Sequence, residues 1–132
     1  MTRILASLAL TVALAAPVSA IAQDTPPGST PEDRAAQNLA IAASVQHQLL
    51  SCWHLPSGYQ GRSISVRLAF LGDGTLDGDP HIVPESLRVA GKYPELMRSI
   101  AQAISRCLPF AGLDELGALP GERFDITVHF SS

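Results

Sequence analysis

Apolar residues recur along this chain with two different periods. Between Pro31 and Cys52, the residues Ile41, Val45, Leu49 and Cys52 return at intervals of four, four and three, which is one face of a helix. The Ala-rich stretch Ala35 to Ala43 favours the same structure. Thr30 suits the N-cap, Pro31 the first helical position, and Glu32 and Asp33 the positive end of the helix dipole. His54-Leu55-Pro56-Ser57-Gly58 ends the run. From Arg62 to Leu71 the period drops to two. Ile64, Val66, Leu68 and Phe70 alternate with Ser63, Ser65, Arg67 and Ala69, which predicts a strand with one face on a core. Gly72-Asp73-Gly74 then predicts a tight turn.

The return strand within Thr75 to Ser86 is weaker. Only His81-Ile82-Val83 is strongly extended, and Pro80 and Pro84 confine it to an edge. Arg88 to Lys92 reads as a loop. Pro94 to Leu108 predicts the second helix, where Leu96, Ile100, Ile104 and Cys107 repeat the four, four, three spacing. Pro109 to Gly121 reads as a loop rich in Gly, Leu and Pro. The chain closes on Arg123 to Phe130, with Phe124, Ile126, Val128 and Phe130 on one face and Asp125, Thr127 and His129 on the other. The expected fold class is α+β, with elements in the order α-β-β-α-β.

The remaining apolar run is of another kind. Thr2-Arg3 gives a positive start, Ile4 to Ala16 is continuously apolar, and Pro17 to Ala22 supplies small residues of the kind found at a cleavage site. Residues 1–22 are therefore expected to be a signal peptide, too short in its apolar part for the ~20 residues that spanning requires. Gln23 to Thr30 is a polar linker, and residues 31–132 form one domain. The hydrophobic fraction of 46% is raised by the leader and does not mark a membrane protein. Of the 9 basic residues Arg3 falls in the leader, against 12 acidic ones, so the domain is mildly acidic. With no basic run, that balance argues against a nucleic-acid partner.

Export sets the reading of the 2 cysteines. Cys52 and Cys107 each end a core-facing stripe at the close of a helix, and an oxidising compartment favours one bond between them. On the chain-entropy account that closure stabilises by about 4 kcal/mol. The competing chemistry is a thiol nucleophile at Cys52, with His47 and His54 close by in sequence. No Cys-x-x-Cys accompanies it. Asp73, Asp77 and Asp79 beside Gly74 and Gly78 resemble a calcium loop, but Pro84 stands where the bidentate Glu is required. His47, His54, His81 and His129 lack metal-ligand spacing. Trp53 and Phe110 read as core and disulfide cover rather than surface anchors. No catalytic residue, metal site or cofactor is assigned.

Taken together, Cys52-Trp53 at a helix end, a strand running into Gly72-Asp73-Gly74, a helix closing on Ser105-Arg106-Cys107-Leu108-Pro109-Phe110, and the terminal strand Phe124 to Phe130 resemble the C-terminal domain shared by TolA and TonB, on the TolA side. The resemblance covers roughly residues 40–130. It implies a three-stranded antiparallel sheet packed against two main helices, in the order return strand, first strand, terminal strand, within a periplasmic, cell-envelope protein that works by binding, with an envelope protein or peptide segment adding to the sheet edge. In place of the family's membrane anchor and long stalk stands a linker reaching at most ~30 Å, so the expectation takes over fold and binding mode, not energy coupling. The edge expected to receive the segment is the terminal strand, through Arg123, Asp125, Thr127, His129 and Ser131. After signal cleavage the protein is expected not to span a membrane. Two other readings stand beside this one. One is a small secreted enzyme or enzyme inhibitor using the Cys52 region. The other is a structural homodimer paired through its edge strands.

Overall fold

The structure, a computed structural model, describes residues 30–132. The expected leader and the linker up to residue 29 lie outside the described residues. The elements run α1 (Pro31–Cys52), β1 (Ser63–Leu71), β2 (His81–Ile82), α2 (Leu87–Lys92), α3 (Pro94–Cys107) and β3 (Arg123–Ser131). The sheet is antiparallel in the order β2-β1-β3, the order expected of it.

β1 and β3 pair over their whole length, from Ser63 opposite Ser131 to Leu71 opposite Arg123. This register places Ile64, Val66, Leu68 and Phe70 beside Phe130, Val128, Ile126 and Phe124 on one face. Seven of these eight side chains are buried, Ile126 being partly covered. The helices supply the other half of the core: Ile41, Val45 and Leu49 from α1, and Leu96, Ile100, Ala103 and Ile104 from α3. β2 adds only the pairs Val66–Ile82 and Arg67–His81, consistent with the prolines on either side of it.

α1 begins in a reciprocal cap. The Thr30 hydroxyl accepts the Asp33 N–H at 3.1 Å, and the Asp33 carboxylate accepts the Thr30 N–H at 3.2 Å. Its residues before Ile41 are exposed apart from Gln37, whose Nε2 donates to the Leu116 carbonyl at 3.1 Å. Gln48 ties the helix to the following loop more fully. Its amide donates to the Ala111 carbonyl and accepts the Ala111 N–H, both at 2.9 Å.

Two stretches differ from the expected loops. Residues 88–92 belong to α2, which a 3-10 turn at Pro84–Ser86 introduces. A helix this short has no intrinsic stability. It holds because Ala90 is buried, and because the buried Ser86 hydroxyl accepts the Ser65 N–H at 2.9 Å, fixing the turn against β1. The segment after α3 also contributes to the core. Phe110 and Leu113 are buried, and a 3-10 turn at Asp114–Leu116 ends on Gly117. Phe110 meets Phe70 edge-on with centroids 5.4 Å apart. The hairpin turn fits beneath this segment only because it carries glycine. At Gly74, with φ +89°, a Cβ would run into the main chain of Phe110.

Cys52 and Cys107 are joined, with Cα atoms 6.0 Å apart, so the ends of α1 and α3 are covalently tied. Trp53 follows directly, half-buried, edge-on to Phe130 at 5.5 Å and donating its indole N–H to the Ser99 hydroxyl at 2.9 Å. Both aromatic side chains singled out in the sequence thus serve packing. No helix among the described residues is long and apolar enough to cross a membrane.

Candidate functional site

Among the described residues, the outer edge of β3 borders no other strand. Which of its backbone groups face outward follows from β1. The Ser65 carbonyl accepts the Val83 N–H at 3.1 Å, the Ala69 carbonyl accepts the Asp77 N–H at 2.8 Å, and the Leu71 N–H donates to Thr75 at 2.8 Å. Odd-numbered residues of β1 therefore bond toward the β2 side, and the even-numbered ones bond toward β3. Across the register, Phe124, Ile126, Val128 and Phe130 use their main chain on β1. The N–H and C=O groups of Arg123, Asp125, Thr127, His129 and Ser131 point away from the sheet. These are the five residues expected from sequence as a partner-binding edge.

On the solvent face of the sheet three of their five side chains, those of Arg123, Asp125 and His129, are tied down. Arg67 Nε donates to Asp125 Oδ1 at 2.8 Å, and Arg123 Nε to Asp77 Oδ2 at 2.7 Å. Arg123 also stands 3.8 Å from Asp125. The hydrogen bond from Arg67 holds the Asp125 carboxyl below its ordinary range, with the nearby positive charges of Arg67 and Arg123 adding to the effect against partial desolvation. His129 Nδ1 and the Ser65 hydroxyl share a hydrogen bond of 2.6 Å. Pairs of this kind stiffen the strand without closing its edge.

One outward group is already engaged. The His129 N–H reaches Gln46 Oε1 of α1 at 3.4 Å, a long contact. From Arg123 to Thr127, by contrast, the edge opens onto a groove between β3 and α1. Ala35, Asn38, Leu39 and Ala42 form its helix wall, Phe124 and Ile126 its strand side, and it encloses about 600 Å³. The depression continues along the helix past Ala43, Gln46, His47 and Leu50. Leu39, Ala42 and Thr127 belong to both halves. The helix wall is shallow because alanines stand where larger side chains would fill it. Leu39 beside them is 73% exposed.

Of these α1 residues only His47 was singled out from the sequence, and for other chemistry. A stripe of Ala35, Leu39, Ala42 and Gln46 carries no signal until the fold sets it beside the outer edge of β3. The other candidates fall elsewhere. The Cys52 sulfur is in the bond to Cys107. Asp73 behaves as a turn residue, its Oδ1 accepting the Thr75 hydroxyl and N–H at 2.6 and 3.0 Å. Among the described residues no set of His, Cys, Asp and Glu side chains converges as a metal site. A second depression, about 430 Å³, lies between α3 and the β2 side, lined by Val66, Ile82, Met97 and Ile104 with Ser105 as its one polar side chain.

A family model described as "Uncharacterised conserved protein UCP034077" matches residues 35–132. The chain belongs to that family. The UCP034077 match begins at Ala35, so it takes in every residue that lines the groove and the whole of β3. No curated protein and no solved structure matches the chain.

Proposed function

We propose that this protein is an exported interaction module of the cell envelope, which acts in the periplasm by accepting an extended segment of a partner protein along β3. One observation carries the proposal. The outward N–H and C=O groups of Asp125 and Thr127 stand beside an apolar groove, in a strand that has no proline. An added strand would satisfy those main-chain groups, and its alternate side chains would enter the groove against Leu39, Ala42 and Ile126. The resemblance to the TolA and TonB C-terminal domains supports the same mode of binding. The apolar leader of residues 1–22 supports the compartment.

The test uses Thr127, whose N–H points out of the sheet, so Thr127→Pro removes an edge donor and no β1–β3 bond. Val128→Pro would break the sheet itself and cannot serve. Envelope proteins retained by the wild-type chain are expected to be lost at least about tenfold with Thr127→Pro and kept with Thr127→Ser. Circular dichroism establishes that each variant is folded. Retention undiminished in a folded Thr127→Pro chain overturns the proposal.

A further inference from the structure

The strand best fitted to this edge is β3 of a second copy. We infer that the protein pairs with itself, β3 antiparallel to β3, about a two-fold axis at Thr127. The inference rests on the reading that the edge accepts strands, and it names the occupant in the resting state.

The argument starts from register. Every two-fold antiparallel pairing has one residue opposite itself. With Thr127 at the centre, all of Arg123–Ser131 overlaps, which no other centre allows. That register sets Thr127 against Thr127, Asp125 against His129, and Arg123 against Ser131. No like charges meet, and the hydroxyl pair and the carboxylate–imidazole pair are both favourable across strands. Centring on Asp125 would instead oppose two carboxylates, and centring on Ile126 would oppose Arg123 and His129. The contact between the Ser65 hydroxyl and His129 Nδ1 is compatible with the pairing in one of its two directions. When the Ser65 hydroxyl donates to Nδ1, the ring proton sits on Nε2, free to donate to Asp125 of the second copy.

The groove agrees independently. Leu39, Ala42 and Thr127, the residues common to both of its halves, lie where the axis passes. The rotation lays the two α1 helices antiparallel beneath the joined sheet edges. The small side chains Ala42 and Ala43 stand near the crossing, and the exposed Leu39 of each copy turns toward the other helix. Gln46 marks the monomeric form. Its long bond to the His129 N–H occupies a donor that the Asp125 carbonyl of the second copy would take in the ladder. A partner segment and a second copy compete for one edge, so partner binding would be read out as dissociation of the pair.

The experiment uses the full chain, expressed with its N-terminal segment and purified as the cell processes it. Sedimentation over a concentration series is expected to show a monomer–dimer equilibrium, weakened at least about tenfold in a folded Thr127→Pro variant. Register is tested with cysteine. Two opposed Thr127 positions in a hydrogen-bonded pair lie about 5.5 Å apart, inside the roughly 4.4–6.8 Å that a disulfide spans. The two Asp125 positions are offset by four residues, roughly 14 Å along the strand. Thr127→Cys is therefore expected to form a covalent dimer at least about tenfold faster than Asp125→Cys. A dimer that crosslinks equally through both positions overturns the inference. So does a wild-type chain that sediments as a monomer at every concentration. That second result would leave strand acceptance to be judged on envelope partners with Thr127→Pro.

Discussion

Asp125 shows how a single side chain sets the character of the solvent face. Its carboxyl is held below the ordinary value of 3.8 by Arg67. A group with a depressed folded value contributes stability that is complete above its unfolded value and lost as pH falls through the folded one. The contribution is therefore present at neutral pH and disappears only below about pH 4. A carboxyl-carbon NMR titration should find the Asp125 midpoint below 3.8, and Arg67→Ala should bring it back toward that value. Asp73 follows the same sign through its bonds from Thr75. Gly74 makes a harsher demand. Alanine there meets both a left-handed backbone and the main chain of Phe110, so Gly74→Ala should cost at least about 2 kcal/mol in urea unfolding. Gly78→Ala is the contrasting case, with a similar φ of +92° but open space around the new methyl, and should cost less.

At the scale of elements, the two-residue and four-four-three periods carried most of the fold. They located α1, β1, α3 and β3 to within a residue or so, and the turn chemistry joined β1 to its weak return strand. What they could not carry was structure created by contact. α2 has no stripe of its own and exists because Ala90 and Ser86 are buried against β1. The loop after α3 is held by Gln48 and Gln37, polar residues whose partners lie 63 and 79 positions away. The edge residues of β3 were legible because alternation assigns their direction. The groove was not, since it depends on which residues of α1 come to rest beside that edge. α1 itself supplies a prediction. Its first turns pack on little, so loss of the Thr30 cap should fray them locally. Thr30→Ala should speed amide exchange at Asp33 and Arg34. The effect on global unfolding should stay below the about 1 kcal/mol that a cap is worth in a packed helix.

For the whole molecule, one covalent tie and one long strand pair hold two helices against three strands. Cys52 and Cys107 close 55 residues of chain, and replacing both with alanine should lower stability by about 4 kcal/mol. That is a large share of what a domain of this size possesses. Comparing urea midpoints of the wild-type chain with and without reductant provides the check. The pairing of β1 with β3 has a further consequence for how the protein is made. β1 emerges early, yet β2 offers it only two partners, and its full-length neighbour follows every other described element in the order of synthesis. The long β1–β3 ladder therefore closes only after β3 has been synthesised. For the exported protein proposed above, that order leaves the long strand pair unmade while the chain is still being translated.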